Sequence, residues 1–154
     1  MPSTLKETFA GKRVFLTGHT GFKGAWMTLI LNKLGAQVKG YALEPKNNFD
    51  LYNQLEGNSL CDSVIADIRD RQKLKDVILE FQPDFVFHFA AQALVLDSYK
   101  EPVETYETNV MGTIHVLDAL RSLNQPCYSV IITTDKVYEN MEVLRPYPET
   151  ARFG

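Results

Sequence analysis

Cysteine is scarce in this 154-residue chain, and the two present, Cys61 and Cys127, stand far apart with no C-x-x-C or Cys/His spacing. That excludes a disulfide framework and a zinc ligand set, so the pair reads as reduced, buried thiols in a cytoplasmic protein with no metal site. Positive charge is not in excess either. The formal net charge is -3 and the pI about 5.6, which leaves no electrostatic footprint for nucleic acid or for an anionic membrane surface. Long apolar runs are missing as well: the uncharged stretch at residues 85–96 is too short to cross a bilayer, and the opening MPSTLKETFAGKR holds no apolar signal-type core. What remains is ordinary globular composition, 45% hydrophobic and 23% charged, at a length that suits one soluble domain rather than two.

The patterning that is present alternates between two periods. Val14, Phe15 and Leu16 form a short apolar strand that runs into a glycine cluster. From Phe22, the residues Trp26, Leu29, Ile30 and Leu34 recur at helical spacing, with Gly35 where a C-terminal cap belongs. AQVKGYAL reads as a second strand and SVIAD as a third, separated by a polar stretch through Asn47, Asn48 and Asn53 with no assignable structure. Asp70 is placed to cap a helix whose Leu74, Val77, Ile78 and Phe81 draw one apolar face, ended by Pro83. FVFHFAA is the fourth strand. Tyr106, Val110, Ile114, Leu117 and Leu120 mark another amphipathic helix with Pro102 near its start, and YSVIITT is the fifth strand, its Val130–Ile131–Ile132 core expected to be buried. Strands alternating with helices, and continuous apolar strands, predict an α/β domain with a doubly wound parallel sheet, an NAD(P)-binding Rossmann fold of strand order 3-2-1-4-5. About twenty residues without clear periodicity follow the last strand, so residues 1–154 read as an incomplete dinucleotide-binding domain, apparently truncated.

Gly18, Gly21 and Gly24 in TGHTGFKG stand three apart, directly after the first strand and at the start of the first helix. Backbone without Cβ can turn tightly there and approach a pyrophosphate, while the helix start supplies partial positive charge. The alternative is that these glycines serve only the turn and close packing. Phe22 and Lys23 lie inside the same loop, and Lys23 can add charge toward phosphates. Glu44, twenty residues past Gly24, is at the offset expected of a carboxylate on the adenosine ribose, and no arginine nearby suits a 2′-phosphate, which favours NAD over NADP. Asp67, ending the third strand, either accepts from the adenine amino group or caps the following helix. His19 lies in the glycine loop within reach of a cofactor, His88 reads as a packed core residue and His115 as surface.

Taken together, TGHTGFKG, ADIRD, FHFAAQALV, TNVMGT and TTDKVYEN resemble the extended short-chain dehydrogenase/reductases, and among them are most similar to the CDP-glucose 4,6-dehydratases, over nearly the whole chain. The resemblance implies that Gly18, Gly21 and Gly24 contact the pyrophosphate of NAD, Asp67 and Ile68 the adenine, and Ala90, Ala91 and Gln92 the nicotinamide side. Thr108 and Asn109 support the cleft. Thr134, Asp135 and Lys136 fall on the catalytic positions of a lyase that removes water from a nucleotide-diphosphate sugar, expected to be CDP-glucose, through internal redox at C4. Deoxysugar biosynthesis of the O-antigen kind and a homodimer at full length are implied likewise. One departure bears on the substrate: where the family usually reads Pro-Leu-Val-Arg after the glutamine, this chain has Ala93, Leu94, Val95 and Leu96, which leaves the sugar nucleotide open.

The resemblance assigns Thr134 to hydrogen-bond the C4 oxygen and a protonated Asp135 to donate to the departing C6 hydroxyl. Lys136 is either a base at C5, which needs a strongly lowered pKa, or an electrostatic positioning group. Taken alone, Asp135 and Lys136 equally fit a solvated turn at a strand end. The family's Tyr-x-x-x-Lys pair is absent: none of Tyr41, Tyr52, Tyr99, Tyr106, Tyr128, Tyr138 and Tyr147 has a lysine four residues on. A nucleotide-sugar epimerase or reductase, and a non-catalytic dinucleotide-binding module, are the alternatives to the dehydratase reading.

Overall fold

The computed structural model describes residues 4–134 and 137–154. The chain opens with a short helix, α1 (Leu5–Phe9), held by a capping box in which the Thr4 hydroxyl accepts from Glu7 N–H and the Glu7 carboxylate accepts from Thr4 N–H. Strand β1 (Arg13–Thr17) follows, then α2 (Phe22–Lys33), β2 (Gln37–Ala42), a single helical turn α3 (Leu51–Gln54), β3 (Asp62–Ile65), α4 (Arg71–Phe81), β4 (Phe85–His88), α5 (Val95–Lys100) and α6 (Pro102–Tyr106). A π-helical turn (Glu107–Met111) joins α6 to α7 (Gly112–Leu120), and β5 (Tyr128–Ile131) completes the sheet.

All pairings are parallel and the strand order is β3-β2-β1-β4-β5, as the alternation predicts. The chain adds strands outward on one side of β1 and then reverses to the other side, so the gap between β1 and β4 is the switch point of the sheet. The period of two along β1 divides the core. Phe15 faces a cluster with Tyr41, Ile68, Leu74, Ile78, Val86, Val116 and Ala119, while Val14 and Leu16 face Leu31 and Val38 on the other side. Asp70 caps α4 by accepting from Lys73 N–H, as its position suggests. The end of α2 carries paired bonds from Gly35 N–H to Asn32 C=O and from Ala36 N–H to Leu31 C=O.

Several expectations are corrected. Helical spacing locates α2 and α7 but not the side each presents to the sheet: Trp26 and Ile30 are 46% and 47% exposed, and Tyr106, Val110, Ile114 and Leu117 also face outward. The residues against the sheet are Leu31 and the small Gly24, Ala25 and Thr28 on α2, and Gly112, Val116 and Ala119 on α7. Close approach of helix to strand selects small side chains there and displaces the bulky ones. Val130 and Ile132 are not buried but 46% and 49% exposed, because β5 is an edge strand bonded to β4 alone. The stretches of β4 and β5 expected to continue as strand, through Ala91 and Thr134, leave the ladder at His88 and Ile131, and α5 arises where no helix was expected. Cys61 and Cys127 are free and half-buried, with burial pushing both thiols up, Cys127 to about 11.

Core packing and edge position predict different costs. Leu74→Ala, at a fully buried site, should lower stability by about 2–5 kcal/mol in urea denaturation. Ile132→Ala should cost under about 1 kcal/mol, since about half of its surface already meets water; equal losses would contradict the edge assignment.

Candidate active site

Because every strand is parallel, the loops after β1, β3, β4 and β5 emerge on one edge of the sheet. The loop after β1 turns at Gly18, whose φ of +73° is in the left-handed region. A Cβ at Gly18 would lie 2.8 Å from Ala90 N, and one at Gly24 would lie 2.0 Å from Gly18 O. The loop is thus pressed between the loop after β4 and the first turn of its own helix, and only hydrogen fits in both places. Gly21 is the N-cap of α2 and offers no side chain to the helix start, with Phe22 and Lys23 exposed beside it. These residues form a cradle that a Cβ would fill, lined by backbone and open at a helix N-terminus, and it fits a pyrophosphate.

His19 does not face this cradle. Its ring is fully buried beneath the loop, with Nε2 2.7 Å from Ser63 Oγ and its edge against Tyr52, over Gly40, where a Cβ would meet the imidazole. Burial lowers its pKa to about 4. Thr20 Oγ1 donates to Leu43 C=O, tying the loop to the end of β2; Glu44, one residue further, is exposed.

On the β3 side, Ile68 is buried in the core cluster that Ala90 also packs against. Asp67 does not cap α4, the role Asp70 fills. Its Oδ1 accepts from Arg69 N–H at 2.8 Å, and its Oδ2 accepts from the Arg69 guanidinium at 2.7 Å, which holds the carboxyl below the usual range. Arg69 also reaches toward Glu104 and Glu107. His115, expected at the surface, is half-buried with Nδ1 3.3 Å from Ile68 C=O.

On the β4 side, Thr17 Oγ1 accepts from Phe89 N–H and Ala90 N–H, both at 3.1 Å, and lies 2.7 Å from His88 Nδ1. Gln92 is gripped by Asn109: Asn109 Oδ1 accepts from Gln92 N–H at 2.8 Å and Asn109 Nδ2 donates to Gln92 C=O at 3.0 Å. The Gln92 side chain folds back to Leu94 and Thr105. Asn109 and Thr108 sit on the π-helical turn, half-buried, and Ala91 is exposed. Residue Thr134 follows β5, whose Ile131 lies opposite His88 and whose neighbour Ile132 N–H donates to His88 C=O, so β5 ends beside the end of β4. Asp135 and Lys136 lie outside the described residues. No group of three or more His, Cys, Asp or Glu that could hold a metal is found among the described residues, and no helix there is long and apolar enough to cross a membrane.

Spacing alone missed Thr17, His88, Thr113 and Arg69. Thr17 and His88 carry a signal, being the polar residues that end otherwise apolar central strands. Thr113 carries none, since its partners are distant or set by the π turn, while Arg69 carries only its place two residues after Asp67.

The strand order, the switch point and the glycine cradle define an open, doubly wound sheet of the Rossmann type. The chain belongs to the GDP-mannose 4,6-dehydratase family, whose model matches residues 15–154. It is 49% identical over 149 residues to the CDP-glucose 4,6-dehydratase of Salmonella typhimurium, covering 97% of this chain and 42% of that protein. Among solved structures it is similar to the UDP-glucose-4-epimerase of Stenotrophomonas maltophila with bound NAD and formylated UDP-arabinopyranose, with TM-score 0.79, 27% identity, and coverage of 93% of this chain and 43% of that one. The UDP-glucose 4-epimerase of Brucella ovis in complex with NAD matches with TM-score 0.77 and 26% identity over 94% and 42%. The chain thus spans about two fifths of the length of the relatives it matches, and the likeness read from its motifs is borne out.

The two buried histidines set an acid dependence. His19 and His88 both titrate near 4 in the fold through burial, against about 6.5 in an unfolded chain. Between those values the unfolded state binds the extra protons, so stability is full above about pH 6.5 and falls toward pH 4, by up to about 3 kcal/mol per histidine. Urea titrations at stepped pH should show a slope approaching two protons in this window; a flat profile would mean that the imidazoles are solvated.

Proposed function

We propose that residues 1–154 are the dinucleotide-binding domain of an NAD-dependent nucleotide-sugar 4,6-dehydratase, a cytoplasmic lyase acting on CDP-glucose. The cradle of Gly18, Gly21, Phe22, Lys23 and Gly24 would hold the pyrophosphate, Asp67 and Ile68 the adenine, and Ala90, Ala91, Gln92 and Asn109 the nicotinamide side. NAD rather than NADP suits the end of β2, where exposed Glu44 and no arginine follow the strand. When bound, NAD⁺ supplies a hydride acceptor that returns the hydride later in the reaction.

The chain's own residues handle the oxygens and protons. Thr134 would hydrogen-bond the hexose C4 oxygen. Asp135 in its protonated form would give its proton to the departing C6 hydroxyl. Lys136 would serve as base at C5 or as a fixed positive charge beside it. What supports the dehydratase over an epimerase most is the 49% identity to a CDP-glucose 4,6-dehydratase across almost the whole chain, together with an acid at position 135, which an epimerase has no leaving group to use. Titration calorimetry of this chain should detect NAD binding in preference to NADP. With no Tyr-x-x-x-Lys in the sequence, its turnover of CDP-glucose should be negligible. NADP preference, or turnover matching a complete relative, would refute the proposal.

We further infer a homodimer of the full-length protein. Val103, Tyr106, Val110, Ile114 and Leu117 run at spacings of three and four along the outward face of α6–α7, the first three lining a shallow apolar groove, and such a stripe suits a helix–helix seam with a second copy. Sedimentation of the full-length protein should report a dimer that Val110→Glu converts to monomer; a monomeric full-length protein would contradict this.

A further inference from the structure

His88 sits at the end of β4, 2% exposed, between Thr17 on one side and Thr113 on the other. The donors and acceptors around it leave only one arrangement. A threonine hydroxyl has two lone pairs and one proton. Thr17 Oγ1 accepts from both Phe89 N–H and Ala90 N–H, so its own proton is free to donate, and the group 2.7 Å away is His88 Nδ1. Nδ1 is then the acceptor nitrogen, and the neutral ring carries its proton on Nε2. Nε2–H donates to Thr113 Oγ1 at 3.0 Å, and the Thr113 hydroxyl donates to Asn109 C=O at 2.7 Å. Asn109 in turn grips both backbone polar groups of Gln92, which fixes its amide orientation as well.

From this geometry we propose that His88 is a positioning residue: with Thr17 and Thr113 it forms a one-directional hydrogen-bond relay that links the end of β1 to the π-helical turn and thereby sets the backbone of the Ala90–Gln92 segment. The relay starts and ends on that segment, at Ala90 N–H through Thr17 and at Gln92 through Asn109, so the segment is held at both ends by one chain of bonds. It requires a neutral ring. A proton on Nδ1 would point at a hydroxyl whose lone pairs are already taken, and burial keeps the imidazole uncharged at neutral pH. The consequence for cofactor affinity rests on the proposed function, in which this segment faces the nicotinamide.

The first test needs no variant. Long-range ¹⁵N–¹H spectra of the chain should show His88 as the Nε2–H tautomer; the Nδ1–H tautomer overturns the relay. The second test uses the amide of Gln92, whose hydrogen exchange reports the Asn109 grip. Thr113→Val keeps the shape but removes the hydroxyl, and should speed Gln92 exchange about tenfold relative to the core amide of Val86, whereas Thr113→Ser should leave it unchanged. Equal behaviour of the two variants, or Gln92 and Val86 changing in parallel, reduces His88 to a packing residue and overturns the proposal. The third readout is NAD affinity, which Thr113→Val should weaken about tenfold and Thr113→Ser should not. If the parent chain fails to bind NAD, the cofactor reading falls, while the tautomer and the Gln92 exchange still decide the relay.

Discussion

A single hydroxyl at the end of the central strand holds the site together. Thr17 is the last residue of β1, and its oxygen accepts from two consecutive amides of the chain leaving β4. Phe89 N–H also donates to Thr17 C=O at 3.2 Å, whereas Ala90 N–H has left the sheet ladder, and leaving it unpaired next to the core would cost about 1–3 kcal/mol. By taking both, Thr17 pins β1 to the loop after β4 at the point where the winding of the sheet reverses. Gly18, the next residue, then turns into the left-handed region with Ala90 directly against it. The cradle and its opposite wall are thus two sides of one joint.

Around that joint, each wall is braced by bonds from a different element. Thr20 ties the loop to the end of β2, Asn109 on the π-helical turn grips Gln92, and Arg69 holds the Asp67 carboxylate. The π turn inserts an extra residue where Thr108 and Asn109 must look inward while Tyr106 and Val110 look outward, a use of irregular helix that recurs at functional sites. The Asp67–Arg69 pair places a condition on the adenine: the carboxylate is already engaged, so a ligand amino group shares it with the guanidinium or displaces it.

Much of this was legible in the residues before the fold was known. Alternation of short apolar strands with helical periods, and the punctuation at Gly35, Asp70 and Pro83, carry the strand order, because right-handed crossovers leave few other topologies. The glycine loop and Asn109 were legible as motifs. The side on which a helix packs was not. Bulky apolar residues on α2 and α7 look outward because small ones are needed where helix meets strand, and periodicity cannot tell one apolar stripe from another. The burial of β5 was misjudged for a related reason: Val130 and Ile132 are apolar, but an edge strand is covered only as far as its neighbours reach. Short helix α1 went unread, although Thr4 and Glu7 carry the spacing of a capping box. The relay through His88 was not, since Thr17, His88 and Thr113 are brought together by pairing of strands far apart in sequence.

The central claim is that loops from four strands meet at one edge of the sheet to hold a dinucleotide. It is tested most directly by titrating NAD into the ¹⁵N-labelled chain and mapping which amides shift. The account predicts shifts concentrated at Gly18, Gly21, Gly24, Ile68, Ala90, Gln92 and Thr134, which come from separate stretches of sequence and share that edge. Shifts confined to the outward faces of α2 and α7, or none at a saturating concentration of NAD, would contradict it.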